Sequence, residues 1–148
     1  MAPASSATAA AWGLGLPREV IRQGLRSFYP DLTSNPGRVN LLRVGGARLL
    51  IDYGHNVASY RSTLEMARRL ARRRLLGVIG VPGDRPDELV ERVGRTAAEG
   101  FDLLFIKEDE DRRGRQAGEI AELLLKGARA AGFPSEHARI ILREEEAL

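Results

Sequence analysis

The sequence predicts an α/β fold built on a Rossmann-like, mostly parallel, doubly wound sheet that an antiparallel hairpin strand precedes. Two observations lead to this prediction. Beyond residue 47, short apolar runs alternate with longer stretches whose apolar residues recur every three or four positions, which is the pattern of strands alternating with helices. Before that point, Gly45-Gly46 separates two strand-like runs, as is typical of a tight hairpin turn.

The first half of the chain is predicted to contain a helix, a hairpin and a second helix. Residues 1–16 are rich in alanine and are interpreted as a tail or the remnant of a helix. Tyr29-Pro30 ends the next helix, and Asn35-Pro36-Gly37 is a strong turn signal at which we place the main domain boundary. The predicted elements are helix Pro17–Phe28, strand Val39–Val44, strand Arg48–Tyr53 and helix Ala58–Arg73.

The second half repeats strand and helix in turn. The run Leu75–Val81 is continuously apolar, which predicts a strand covered on both faces. The predicted elements after it are helix Pro86–Glu99, strand Phe101–Ile106, helix Ala117–Ala131, strand Ala138–Leu142 and the start of a helix at Arg143–Leu148. With Arg48–Tyr53 as its first parallel strand, this series predicts one parallel sheet.

Composition excludes several classes of function. The chain has 148 residues, about one domain, and its lack of cysteine excludes disulfides and thiolate metal sites and fits a cytoplasmic location. No apolar run is long enough to span a bilayer, and the N-terminal stretch lacks the basic region of a signal peptide. A net charge of +3 and 5% aromatic residues disfavour nucleic acid as a partner.

Polar segments follow three consecutive predicted strands, at the sheet edge where ligands bind in such folds. The candidate residues in these segments are Asp52, Tyr53, His55 and Asn56, then Asp84 and Arg85, then Glu108, Asp109, Arg113 and Arg115. Arg38, in the turn before the hairpin, can grip phosphate oxygens with its guanidinium. No metal-ligand cluster surrounds His55, His137 is interpreted as incidental, and the chain contains neither a Walker A loop nor a G-x-G-x-x-G segment.

Each of these segments also has a structural interpretation. The turn that carries Arg38 could be a plain turn with a solvated arginine. Asn56 and Asp84 could be N-caps of the helices that follow them, and His55 could take part in the first of these caps. The charged run from Glu108 to Arg115 could be a solvated loop, as most charged runs are.

Four motifs together resemble the C-terminal domain of the Mur ligase family, and in particular its cyanophycin synthetase branch. These motifs are N-P-G-R-x-N at 35–40, D-Y-G-H-N at 52–56, G-x-x-G-D-R at 80–85 and K-E-D-x-D-x-R-G-R at 107–115. Two departures are that the family mostly has alanine where Gly54 stands, and that its domain continues for another strand–helix unit. The resemblance implies that residues 1–34 are the helical remnant of a preceding central ATPase domain, and that 35–148 are an incomplete C-terminal domain.

The resemblance also implies a reaction, namely amide formation driven by ATP and Mg²⁺ through an acyl phosphate, with a central P-loop domain as the missing partner. Arg38 would contact the phosphates and Asp52 the ribose, with Tyr53, His55 and Asn56 beside the nucleotide. The substrate amino acid, for which arginine is favoured, would meet Asp84, Arg85 and the loop containing Glu108, Asp109, Arg113 and Arg115. The chain alone would be inactive. The alternative is a non-catalytic nucleotide-binding or interaction module from a decayed or split ligase gene.

Overall fold

The computed structural model describes residues 2–29 and 31–148, and the chain forms two compact units that divide between Ile51 and Asp52. Pro30, part of the predicted helix stop, lies outside the described residues. The boundary placed before Asn35 on sequence grounds stays a prediction. It would separate parts of two family domains, whereas the division after Ile51 separates two groups of residues that pack among themselves. No helix in the described part of the chain is long and apolar enough to cross a membrane.

The first unit consists of two helices and a hairpin. Its elements are α1 (Ala2–Gly13), α2 (Arg18–Ser27), β1 (Asn40–Val44) and β2 (Ala47–Ile51). The strands pair antiparallel from Asn40–Ile51 to Val44–Ala47, and both turn glycines have positive φ, as a two-residue hairpin turn requires. The apolar positions of α2 are not buried, with Phe28 just beyond the helix 57% exposed.

The second unit is a three-stranded parallel sheet with helices. Its elements are α3 (Val57–Leu70), β3 (Leu76–Ile79), α4 (Asp87–Ala98), β4 (Leu103–Ile106), α5 (Glu119–Ala130), a 3₁₀ turn (Ser135–His137), β5 (Ala138–Ile140) and α6 (Glu144–Ala147). The strand order is β3-β4-β5, with Leu76 opposite Leu103 and Leu104 opposite Ala138. The α/β class, the parallel sheet and the antiparallel hairpin are therefore confirmed.

The core lies on one face of the parallel sheet. Ile79, Leu104 and Ile106 point into a cluster whose other side is formed by buried residues of α4 and α5. These two helices approach closely at Gly94 and Gly127, because a Cβ on either glycine would overlap a backbone carbonyl of the opposite helix. The close approach sets the position of α4 relative to α5, and each of these helices follows one of the polar segments.

Two expectations about the strands were wrong. The run Leu75–Val81 is not covered on both faces, since Gly77 and Ile79 are buried whereas Leu76 and Val78 are 53% and 36% exposed. Continuous hydrophobicity alone did not reveal that the helices α4 and α5 cover only one face. The return strand of the hairpin, moreover, is not the first strand of the parallel sheet, because its ladder hydrogen bonds in the described chain join it to β1 alone.

Candidate functional site

The three polar segments of the second unit converge on one buried tyrosine. The Tyr60 hydroxyl donates to the Gly80 carbonyl at 2.8 Å and accepts from the Gly80 N–H at 3.2 Å. Burial raises the pKa of this phenol, and the nearby carboxylates of Asp109 and Asp52 raise it further. Tyr60 thus links the segment after β2, through the start of α3, to the end of β3 by hydrogen bonds, and it lies within the electrostatic influence of Asp109 after β4.

Asn56 is the N-cap of α3, which confirms the capping interpretation of this residue. Its side chain accepts from the Ser59 N–H at 2.9 Å, and the Ser59 hydroxyl accepts from the Asn56 N–H at 3.2 Å, forming a reciprocal capping box. The same hydroxyl accepts from the His55 N–H. The segment is therefore rigid, because the start of the helix fixes its backbone.

The ring of His55 lies between its two neighbours in the motif. Its Nδ1 is 3.3 Å from the Tyr53 carbonyl oxygen, its Nε2 is 3.4 Å from the Asn56 side-chain nitrogen, and the Tyr53 and His55 ring centroids are 5.8 Å apart. Asp52 is half-buried and accepts from the Thr63 hydroxyl at 3.1 Å. The four predicted residues of this segment thus form one compact group.

Arg115 ties the loop after β3 to the loop after β4. Its guanidinium donates to the Gly83 carbonyl at 3.0 Å and to the Arg85 carbonyl at 2.8 Å, and it pairs with Asp87 and Glu119. With its donors committed in this way and its side chain only 20% exposed, Arg115 holds the two loops together. Its prediction as a substrate contact stays untested.

A second ion pair joins the same two loops at their surface. Arg113 donates to Asp84 at 2.6 Å, and this hydrogen bond lowers the pKa of Asp84 and raises that of Arg113. Asp84 is not an N-cap, because α4 begins after Pro86 without a side-chain cap. The Nε of the neighbouring Arg85 lies 3.7 Å from Asp84 Oδ1, and it is buried without a hydrogen bond to the described residues.

Glu108 is the cap of α5, although it lies ten residues before the N-cap position of that helix. Its carboxylate accepts from the N–H groups of Gly118, Ile120 and Ala121 at 3.0, 3.1 and 3.2 Å. The side chain is 6% exposed, so these charge-assisted bonds are shielded from water. The carboxylates of the charged run therefore differ in their exposure to solvent. Glu108 is buried and holds the start of α5, so the interpretation of the run as a solvated loop does not apply to this residue.

Asp109 belongs to a separate ion-pair cluster. Lys107 lies 2.9 Å from Asp109 Oδ1 and 2.9 Å from a Glu144 oxygen of α6. Burial would lower the pKa of Lys107, but its hydrogen bonds to the two carboxylates outweigh that effect and raise it. The Oδ2 atom of Asp109 makes no hydrogen bond with the described residues. One acceptor at this edge of the sheet is thus available to a ligand.

Arg38 lies in the first unit, in a turn fixed by a buried asparagine. Asn40 is 1% exposed, and its side chain accepts from the Gly37 N–H at 2.7 Å and donates to the Asn35 carbonyl at 3.0 Å. The turn is therefore ordered by its own sequence, N-P-G-R-x-N. The last residue of that motif positions the arginine two residues before it.

Within residues 2–29 and 31–148, no group of three or more His, Asp or Glu side chains could hold a metal ion. Sequence reasoning missed two residues that organise the site, Tyr60 and Lys107. The apolar periodicity of the helix predicted at 58–73 places Tyr60 on its buried side, but it does not reveal the role of the hydroxyl. Lys107 follows directly after the strand that ends at Ile106, and this position at the ligand-binding edge of the sheet could have identified it as a site residue.

Acid should destabilise the second unit through three paired carboxylates. Arg113, Arg68 and Arg115 lower the pKa values of Asp84, Asp102 and Glu119 below their ordinary 3.8, 3.8 and 4.5. A depressed folded-state pKa contributes stability that is present above the unfolded pKa and is lost as the pH falls through the folded one. We expect the free energy of unfolding, measured by urea titration, to fall as the pH drops from about 5 to 3.

The variant that checks the acid prediction is Asp102→Asn, because both Asp102 oxygens accept from Arg68 and one also accepts from the Leu75 N–H. Its stability should depend less on pH over this interval than that of the original chain. The control is Glu88→Gln at an exposed position of α4. Equal pH slopes for all three proteins would contradict the prediction.

Comparison with known proteins shows the family to which this chain belongs. Residues 37–148 match the family model described as Mur ligase, glutamate ligase domain. A cyanophycin synthetase from Synechocystis sp. is 42% identical over 148 residues, which are all of this chain and 17% of that protein. A UDP-N-acetylmuramoyl-L-alanyl-D-glutamate--2,6-diaminopimelate ligase from Gloeobacter violaceus is 35% identical over 111 residues, which are 72% of this chain and 22% of that protein.

Solved structures show the same fold at lower sequence identity. MurF from Acinetobacter baumannii matches with a TM-score of 0.69 and 23% identity, covering 97% of this chain and 28% of that one. Folylpolyglutamate synthase from Thermotoga maritima matches with a TM-score of 0.61 and 22% identity, covering 94% and 30%. The chain thus spans less than a third of each of these proteins, and 17% of the cyanophycin synthetase from Synechocystis.

Proposed function

This chain belongs to the Mur ligase family as a copy of its C-terminal domain, and from that premise we propose that it is part of an ATP-dependent ligase that joins an amino acid to an acid. The observation that carries the proposal is the convergence of three polar segments around Tyr60 and Arg115. In this proposal the domain contributes contacts to nucleotide and to substrate. It turns over no substrate alone, since no phosphate-cradling loop occurs in it.

The nucleotide contacts are assigned to Arg38 and the group around Asp52. A guanidinium in a fixed turn can donate two parallel hydrogen bonds to phosphate oxygens, and a half-buried carboxylate can accept from ribose hydroxyls. The rings of Tyr53 and His55, which are tilted by 42° to each other, offer aromatic surface beside the nucleotide. Asn56 could contact the nucleotide only through its side-chain nitrogen, which lies beside the His55 ring, because its side-chain oxygen caps α3.

The residues of this chain fit ATP better than they fit Mg²⁺. The guanidinium donor suits phosphate and the carboxylate acceptor suits the ribose hydroxyls, whereas the described residues hold no cluster of metal ligands. We therefore assign the ligands of Mg²⁺ to the central P-loop domain, in cis or in trans. When bound, ATP supplies the phosphoryl group that activates the acid, and the residues of this chain orient it and offset its charge.

The substrate amino acid is proposed to be arginine, bound by the loops after β3 and β4. Glu108 is committed to α5 and Asp84 to Arg113, so the acceptor for a substrate guanidinium is Asp109 through its Oδ2 atom. Arg85 is the corresponding donor for the α-carboxylate, because its ion-pair partner among the described residues is the Asp84 carboxylate, 3.7 Å from its Nε, and that Nε makes no hydrogen bond with them. Arg113 and Arg115 support these two residues by holding the loops.

The experiment is a chimera in which this chain replaces the matching 17% of the cyanophycin synthetase from Synechocystis. We expect phosphate release that requires both ATP and arginine. Arg38→Ala should raise the KM for ATP and Asp109→Asn the KM for arginine, each lowering kcat/KM by roughly 10- to 100-fold through loss of a charge-assisted contact. Each variant should leave the KM of the other substrate nearly unchanged.

The matched control is Arg43→Ala, at an exposed position of β1. A folded chimera without ATP-dependent turnover would favour the second candidate function, a non-catalytic nucleotide-binding or interaction module. Equal use of arginine and neutral amino acids, before and after Asp109→Asn, would contradict the arginine assignment while leaving the ligase proposal standing.

A further inference from the structure

A cavity of about 480 Å³ lies at the opposite edge of the parallel sheet from the candidate site. It opens between the amino ends of β4 and β5 and the carboxyl ends of α4 and α5, where Phe101, Leu103 and Phe133 form much of its wall. Its volume is within the range of small-molecule pockets in proteins, roughly 300–1,000 Å³. None of the site residues predicted from the sequence lines it.

Some polar side chains at this cavity are hydrogen-bonded to other residues, and others make no hydrogen bond with the described residues. The Asp102 carboxylate accepts two bonds from Arg68 at 3.2 Å and one from the Leu75 N–H at 2.6 Å, so its charge is already compensated. The guanidinium of Arg74 and the imidazole of His137, in contrast, make no side-chain hydrogen bond with the described residues, although the charge of Arg74 contributes to the lowered pKa of Asp102. The groups without a hydrogen bond are therefore a guanidinium, which only donates, and an imidazole, which can donate through one ring nitrogen.

Several backbone carbonyls at the helix ends beside the cavity are already hydrogen-bonded, so they do not add free acceptors to it. Phe133 N–H donates to the Ala128 carbonyl at 3.1 Å and Gly132 N–H to the Arg129 carbonyl at 2.9 Å, which closes the end of α5. Phe101 N–H closes the end of α4 on the Ala97 carbonyl at 3.0 Å. With these carbonyls bonded and Asp102 paired, the remaining charge at the cavity is the cation of Arg74.

The walls favour a flat apolar body for the ligand. The Phe133 and His137 rings stand edge to face with their centroids 6.4 Å apart, and Phe101 lies on the same cavity. Aromatic side chains in this arrangement can stabilise a further ring by offset or edge-to-face stacking. A carboxylate on that ring would find the Arg74 guanidinium, which binds carboxylates in a planar, two-bonded geometry.

We propose that this cavity is a binding site for a small aromatic carboxylate, separate from the nucleotide and substrate site. The ring would pack between Phe101 and Phe133, with the carboxylate directed to Arg74 and His137. The site does not depend on the proposed ligase function, because its residues lie within one compact unit and at the other edge of the sheet.

The test is a ¹H–¹⁵N NMR titration of the 148-residue chain with 2-naphthoate. We expect saturable shifts of the amides at 98–103 and 131–137, with a Kd on the order of 1 mM for a probe of this size. The neutral analogue 2-naphthamide should bind at least about fivefold more weakly, since it cannot form the charged contact. Shifts that are dispersed over the chain, or that do not saturate, would overturn the proposal.

Two matched pairs of variants locate the binding. Arg74→Glu should abolish saturable binding, whereas Arg73→Glu, one residue earlier and not at the cavity, should leave the Kd within twofold. Ala131→Phe should fill the cavity and block the probe, whereas Ala130→Phe on the exposed helix surface should not. If Ala131→Phe fails to fold, the arginine pair decides. Equal affinity in Arg74→Glu and Arg73→Glu would refute the assignment.

Discussion

Glu108→Ala is expected to lower the free energy of unfolding by about 2–3 kcal/mol, because it removes a buried carboxylate and leaves its N–H donors without a partner. Three backbone groups at the start of α5 lose their acceptor, and the helix also loses the negative charge that its N-terminal dipole favours. For a chain of this size, the corresponding fall in melting temperature is roughly 5–10 °C. Thermal and urea unfolding followed by circular dichroism would measure both.

The control for this variant is Glu110→Ala. Glu110 lies two residues away in the same charged run, is exposed, and makes no hydrogen bond or ion pair with the described residues. Its loss should change the stability by less than about 0.5 kcal/mol. If the two variants were equally stable, the carboxylate of Glu108 would not be the cap of α5 in solution.

Gly83→Ala is expected to separate the two loops of the candidate site and to cost about 1–3 kcal/mol of stability. Its φ lies outside the left-handed region, so the backbone itself would accept alanine. The added Cβ, however, would overlap the carbonyl oxygen of Arg112, which is backbone and cannot rotate away. The Arg115 bond to the Gly83 carbonyl should then lengthen or break. Urea unfolding measures the cost, and NMR shifts at 83–86 and 112–116 report the displacement.

Gly54→Ala is the matched control, since it adds the same methyl group in another segment of the site. A Cβ at Gly54 would lie 3.5 Å from Asp52, Ser59 and Tyr60 atoms, which is ordinary van der Waals contact. We expect this change to be neutral or to stabilise by up to about 1 kcal/mol, because it restricts the unfolded chain. A larger loss at Gly54 than at Gly83 would contradict the packing described for both loops.

The sequence by itself determined the local elements of this protein. Hydrophobic periodicity located every helix of the second unit within a few residues, and Gly45-Gly46 placed the hairpin turn, because both signals depend on neighbours in the chain. The charged and polar segments after Ile79 and Ile106 could be predicted to meet, since parallel strands end at a common edge. Four motifs in order then identified the family, which the match over residues 37–148 confirms.

Only the tertiary structure decided which side chains remain available at that edge. Glu108 and Asp109 are adjacent and chemically alike, but one caps a helix that begins eleven residues later and the other keeps a carboxylate oxygen without a hydrogen bond from the described residues. Arg115 was predicted as a substrate contact, yet its donors are taken by two carbonyls of the loop after β3 and by carboxylates at the starts of α4 and α5. No local pattern encodes these outcomes, because each depends on a partner brought near by the packing of α4 against α5 and not by the spacing of residues along the chain.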